Sequence, residues 1–254
     1  MRDAVTLTLV TQPAYALVAD CVAPDRLASL GAAAIAALPV SHGGRPARLG
    51  DFFKVTGPPS GALWIEGDLE KVEALGTAMA GGELVIEGNV GRDLGLQMAG
   101  GRIDVHGSAA DNAGGAAPGA SRGMTGGEIV IRGDAGGDVG ARLRRGIIVV
   151  TGDAGRGTAR GAIAGTAVVF GTAGPGAGRF MKRGSIVALG PLERPATFRY
   201  ACTYRPPYVP LLLRYLRVQY GLPVTDAQIG GRYERYSGDM AELGKGEILQ
   251  WVAE

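Results

Sequence analysis

Between Gly61 and Gly190 the chain repeats itself. The segment "GELVIEGNVGRDLG" at Gly82 returns as "GRIDVHGSAADNAG" at Gly101, "GEIVIRGDAGGDVG" at Gly127, "GIIVVTGDAGRGTA" at Gly146 and "GTAVVFGTAGPGAG" at Gly165. A shorter copy, "GALWIEG", opens at Gly61, and a truncated one opens at Gly184. From Gly82 onward the openings are 19, 26, 19, 19 and 19 residues apart. A period of this length makes each copy one structural unit that cannot bury its apolar face alone, so neighbouring copies must stack. A loop that cradles one phosphate needs no such repetition, and no GxxxxGK[ST] sequence occurs.

Two residues after each opening glycine stand Leu63, Leu84, Ile103, Ile129, Ile148, Ala167 and Ile186; four after it stand Ile65, Ile86, Val105, Ile131, Val150, Val169 and Ala188. Side chains two apart share one face of a strand, so these rows point inward. The flanking slots are mixed, with Glu83, Arg102 and Glu128 at one and Glu87, His106 and Arg132 at the other, and face solvent or a partner. Six residues after each opening comes another glycine: Gly67, Gly88, Gly107, Gly133, Gly152, Gly171 and Gly190. A slot that takes only glycine needs positive φ or leaves no room for Cβ, which marks these seven as structural corners. Met79, Met98, Met124, Leu143, Ala162 and Met181 fill one further slot, a stacked core column rather than a ligand box.

The inward slots fall unevenly, unlike the regular six-residue spacing of left-handed solenoids. The expectation is an all-β, right-handed parallel β-helix of six to seven coils of about 19 residues, with short α/β flanks. The chain of 254 residues then divides into an N-terminal flank or cap at 1–57, β-helix repeats at 58–190, and a Tyr-rich C-terminal helix and strand extension at 191–254. In the first flank "VTLTLV" alternates as a strand, and "APDRLASLGAAAIAAL" reads as a helix between Pro24 and Pro39. In the last, "PPYVPLLLRYLRVQYGLP" has Leu and Tyr at helical spacing, and "KGEILQWV" reads as one more strand. The second copy carries seven extra residues between Gly114 and Gly123, which must loop out because its neighbours keep register.

Composition narrows the function. With 26 basic and 24 acidic residues there is no footprint for nucleic acid, and no segment is long and apolar enough to span a membrane. Cys21 and Cys202 offer neither metal-ligand spacing nor a disulfide framework, and "MRDAVTLTLV" lacks a signal-peptide core, which together predict a cytoplasmic protein. His42 and His106 are the only histidines, and neither has a sequence-evident nucleophile; no catalytic, cofactor-binding or metal-binding residue is assigned. Asp93, Asn112 and Asp138 share one slot and suggest a polar ladder, but Gly157 and Gly176 follow there, which argues against a calcium stack. Arg142, Arg144, Arg145, Arg179, Lys182 and Arg183 recur near one corner of the later copies, a strip suited to an acidic partner or an anionic tail when it is not simply solvated.

The stretches "MAGGRIDVHG", "MTGGEIVIRGDAGGDVG" and "MKRGSIVALG" resemble the tandem GxxGxxxG coils of the C-subunit family of formylmethanofuran dehydrogenase. A more distant similarity is to the C-terminal β-helix domain of the glutamate synthase large subunit. "RLGDFFKVTG" at 48–57 and "RYSGDMAELGKGEILQW" near the end resemble the family's lead-in and tail, so the likeness covers roughly residues 48–252. The resemblance implies a non-catalytic β-helical member of a hetero-oligomer. In methylotrophic bacteria that complex is a formyltransferase/hydrolase, which moves a formyl group from tetrahydromethanopterin to a methanofuran-like carrier and releases formate. Its partners are amidohydrolase-like and formyltransferase subunits, and any metal belongs to a partner. The alternatives are the C subunit of a tungsten or molybdenum formylmethanofuran dehydrogenase and a glutamate-synthase-like coupling module. A polysaccharide lyase or hydrolase is disfavoured because Trp64 is the only tryptophan within the coils and Phe170 stands alone.

Overall fold

Between each opening glycine and its corner glycine lie five residues of β-branched-rich sequence, and four or all five of them extend. The computed structural model describes residues 4–253; residues 1–3 and 254, part of the two terminal flanks, lie outside it. The N-terminal flank contains β1 (Val5–Leu9), β2 (Leu17–Val18), α1 (Pro24–Leu27), α2 (Ala32–Ala36), β3 (Pro39–His42), β4 (Arg45–Arg48) and β5 (Phe53–Thr56). The repeats supply β6 (Ala62–Glu66), β7 (Val72–Glu73), β8 (Glu83–Glu87), β9 (Arg102–Val105), β10 (Glu128–Ile131), β11 (Ile147–Val150), β12 (Thr166–Val169) and β13 (Ser185–Ala188). The tail adds β14 (Arg199–Tyr204), α3 (Val209–Tyr220), α4 (Asp226–Gly230), β15 (Arg232–Gly238) and β16 (Gly246–Val252).

The expected right-handed parallel β-helix is corrected. The strands form a 12-stranded mixed sheet in the order β14-β15-β16-β13-β12-β11-β10-β9-β8-β6-β1-β5, beside a 4-stranded sheet in the order β4-β3-β2-β7, and neither sheet closes on itself. From β16 to β1 every neighbouring pair is parallel, while β14, β15 and β5 add antiparallel edges. The cause lies in the rest of each copy. Beyond the strand, left-handed residues recur, as at Asp93, Gly95 and Gln97 or at Asp138, Gly140 and Arg142, so the chain turns instead of extending. What pairs there is a single residue per copy, running Leu69, Val90, Ala109, Ala135, Ala154, Ala173 and Leu192.

Two cores flank the large sheet. On one face the inward rows meet the Met79, Met98, Met124 and Met181 column. On the other, Val130, Val149, Val168 and Val187 form the middle row of β10–β13 and are covered by Val209, Leu213, Leu216 and Tyr220 of α3 and Ile229 of α4. Helix α3 begins with Pro210 in its first turn and stops at Gly221, which takes φ 63°. Each leucine it buries contributes about 1.5–3 kcal/mol, so this apolar face holds the helix down. The single helix expected between Pro24 and Pro39 is two short ones, because Gly31 adopts an extended conformation (φ −76°, ψ 160°) and starts α2 anew.

The corner glycines show the close approach of stacked copies. Gly88 has φ 129°, and a Cβ there would stand 2.5 Å from the carbonyl oxygen of Gly67. At Gly171 a Cβ would stand 2.5 Å from the carbonyl oxygen of Gly152.

Candidate functional site

The polar side chains of β8–β10 collect on the face that α3 shares, in two networks. In the first, Glu128 receives the hydroxyl of Tyr215 at 2.9 Å from each carboxylate oxygen and also that of Tyr220. Arg102, one strand away, lies 3.6 Å from Glu128, donates to the Tyr215 hydroxyl at 3.4 Å and places its guanidinium 5.0 Å from the centre of the Tyr220 ring. Burial, and then the hydrogen bond to Glu128, push both tyrosine hydroxyls above their ordinary range. This network latches the C-terminal half of α3 to the sheet. Glu128→Ala is expected to cost about 1–3 kcal/mol by leaving the Tyr220 hydroxyl without its acceptor. Thermal melts and faster amide exchange confined to α3 would show it; unchanged exchange there would count against the latch.

In the second network Asp104 takes the middle row of β9 and is 9% exposed. Arg132 donates to both its oxygens at 2.8 Å, the bidentate geometry that makes a desolvated carboxylate tolerable. His106 sits between two carboxylates, with Nδ1 3.0 Å from Glu87 and Nε2 3.6 Å from Asp104, and the Trp64 ring meets it edge-on at 6.3 Å. Both ring nitrogens face carboxylates, and no serine or cysteine bonds to the ring among the described residues. The arrangement fixes a polar and aromatic patch in which His106 and Arg132 are both tied to carboxylates.

The other residues singled out in the sequence are placed apart from this face. Asn112 donates to Asp93 at 2.6 Å and to the Ala116 carbonyl at 3.4 Å, while Asp138 is held by Arg160 at 2.8 and 2.9 Å. Among the described residues no three His, Cys, Asp or Glu side chains group to hold a metal ion. His42 receives the Tyr15 backbone N–H and packs against Tyr15 and Phe52. Cys21 and Cys202 are free thiols, and burial raises the first. Arg142, Arg144, Arg145, Arg179, Lys182 and Arg183 are all exposed along the turn edge of the later repeats. The insertion folds back on this edge, since Arg142 donates to the Ala120 carbonyl at 2.5 Å and Gln97 to that of Arg122 at 3.4 Å. No described helix is long and apolar enough to cross a membrane.

No family model matches the chain. Among curated proteins, the C subunit of tungsten-containing formylmethanofuran dehydrogenase 2 from Methanothermobacter wolfeii is 33% identical over 96 residues, 36% of this chain and 36% of that protein. The C subunit of molybdenum-containing formylmethanofuran dehydrogenase 1 from Methanothermobacter thermautotrophicus is 35% identical over 81 residues, 31% of this chain and 20% of that protein. These matches span about a third or less of the relatives' own length. Among solved structures, a chain of the formyltransferase/hydrolase complex (FhcABCD) from Methylorubrum extorquens, crystallised with methylofuran, matches with a TM-score of 0.78 and 30% identity. That match covers 98% of this chain and 100% of the other. The chain belongs to the C-subunit family of formylmethanofuran dehydrogenase.

In this family member the sequence marks Arg102, Glu128, His106 and Arg132 as outward, and the structure joins the first two to the tail and the last two to Asp104. Asp104 itself is not marked by the repeat. Its slot holds Trp64, Val85, Val130, Val149, Val168 and Val187 in the other copies, so a lone carboxylate among apolar residues is the available signal. The four valines in that row are likewise the sign of a second buried face.

Proposed function

We propose that this chain is a non-catalytic assembly subunit of a formyltransferase/hydrolase complex. In this reading the complex moves a formyl group from tetrahydromethanopterin to a methanofuran-like carrier and releases it as formate. The observation that carries the reading is the end-to-end similarity to a chain of the FhcABCD complex. The residues are in keeping with it, because the polar groups on the candidate face are engaged in pairing and latching. Formyl transfer and hydrolysis then belong to formyltransferase and amidohydrolase-like partners, any metal lies in a partner, and the methanofuran-like carrier belongs to the complex as a whole.

The test is affinity purification of this chain from its native cells, with the partners identified by mass spectrometry. Amidohydrolase-like and formyltransferase subunits are expected, without a tungsten or molybdenum protein, and the isolated chain is expected to leave formylated carrier intact. The names of the curated relatives favour a second reading, the C subunit of a dehydrogenase, which recovery with a molybdopterin-binding protein would establish instead. Hydrolysis by the isolated chain would overturn the non-catalytic assignment.

A further inference from the structure

A second surface lies away from the α3 face, on the turn edge of the last repeats, and one residue there exposes a large aromatic ring. Phe180 is 43% exposed and takes φ 63°, a left-handed conformation that is unfavourable for a bulky side chain. That backbone is shared by the slot, which holds Ala78, Gln97, Arg142 and Gly161 at φ 53°, 55°, 57° and 67° in other copies. The backbone at this turn therefore calls for a left-handed residue, which glycine supplies without strain and without an exposed ring. The Phe180 N–H is fixed by Asp239 Oδ2 at 2.7 Å, and the Arg179 guanidinium stands 4.9 Å from the ring centre. The distinguishing feature is the ring: other copies carry alanine, glutamine, arginine or glycine here, and an aromatic side chain that the fold leaves 43% exposed is a reason to look for a function outside the fold.

Its surroundings supply one. Phe180 borders an open groove of ≈ 380 Å³ together with Ile163, Arg142, Arg160 and Lys182. Arg160 is neutralised by Asp138, but Arg142, Arg144, Arg145, Lys182 and Arg183 make no ion pair with a carboxylate among the described residues. Glu242 is the one carboxylate lining the groove. The chain as a whole is only +2, so this edge is a local concentration of positive charge and not part of a basic surface.

We infer that Phe180 and the cations around it dock a partner protein whose surface is acidic around an apolar recess. An aromatic side chain at the centre, flanked by arginines and rimmed by charge, is the pattern of an energetically dominant protein contact. A free polyanion would follow the cations and gain nothing from Phe180 and Ile163. The inference rests on the assembly reading in one respect, that the partner is a member of the same complex. The cationic rim sets encounter rate and orientation, and the ring sets residence time.

The experiment places a photo-crosslinking amino acid at position 180 in the complex isolated from its native cells, with Tyr15 of the N-terminal flank as the control position. Crosslinks from 180, and not from 15, to a partner peptide rich in Asp and Glu are expected. The double variant Arg142→Glu/Lys182→Glu should weaken association by roughly tenfold or more at low salt, with the loss shrinking as salt screens the rim. Phe180→Gly separates docking from folding. It places in the slot the residue of the preceding repeat, so the chain should melt at the same temperature or higher while association falls by roughly tenfold or more. The set of proteins recovered in the same preparation reports on the assembly reading independently. A complex with all its members but no crosslink from 180 would overturn the docking surface, as would a crosslink to a neutral or basic peptide. Displacement by excess polyaspartate without any protein crosslink would overturn it in favour of a soluble polyanion.

Discussion

Gly88→Ala is expected to lower the melting temperature by roughly 6–12 °C, the effect of about 3 kcal/mol in a chain of this size. Two penalties coincide at this corner. The backbone φ of 129° is one that side chains rarely adopt, and the new Cβ would stand 2.5 Å from the Gly67 carbonyl oxygen. Neither relaxes alone, because Gly67 belongs to the adjoining repeat, and moving it pulls on the β6–β8 register from Ala62 opposite Glu83 to Glu66 opposite Glu87. Gly31→Ala is the matched control, since its φ is −76° and nothing lies within 4 Å of the added methyl. There the change should be within about 0.5 kcal/mol or slightly stabilising, because alanine restricts the unfolded chain. Equal losses at the two positions in a melting experiment would sink the argument from stacking.

The contrast between these glycines shows what the sequence makes legible. Recurrence six residues after every opening glycine marks Gly88 as a corner in the sequence itself, because a slot held by glycine in every copy has a backbone reason. The same periodicity places Leu84, Ile103, Ile129 and Ile148 on one buried row, and they are fully buried. Periodicity does not say how much of each copy extends. Asp93, Gln97, Arg142 and Phe180 all take left-handed conformations as ordinary residues, so the turns that replace the expected β-helix walls carry no glycine signature in several copies. The candidate face was legible only in halves. Glu128 and Arg102 read as outward and the tail read as Tyr-rich, but Tyr220 is 92 residues from Glu128, and no local pattern joins them. The helical spacing of 209–220 likewise gives α3 its length but not its seat, which is set by valines scattered over four copies.

That tail carries the second large effect, a loss of stability at alkaline pH. Tyr220 and Tyr233 are buried, and burial raises both hydroxyls; Tyr220 is raised further by donating to the Glu128 carboxylate, and the Tyr233 hydroxyl donates a hydrogen bond to the Gln228 carbonyl at 2.6 Å. In the unfolded chain a tyrosine ionises near pH ~10. Below that pH both states hold these protons and the stabilisation is complete. Above it the unfolded state releases them while the folded state retains them, so stability falls as pH rises from about 10 toward the higher folded values. Each buried tyrosine contributes a slope of up to about 1.4 kcal/mol per pH unit, so the pair contributes up to about 2.7. Denaturant midpoints from pH 8 to 11 should therefore be flat and then drop, with tyrosinate absorbance rising together with unfolding. Midpoints that hold steady to pH 11 would refute this. Tyr220→Phe should remove about one proton from the slope, because phenylalanine keeps the ring under Arg102 but has nothing to ionise; a slope unchanged by that substitution would assign the titration to Tyr233 and the rest of the tail.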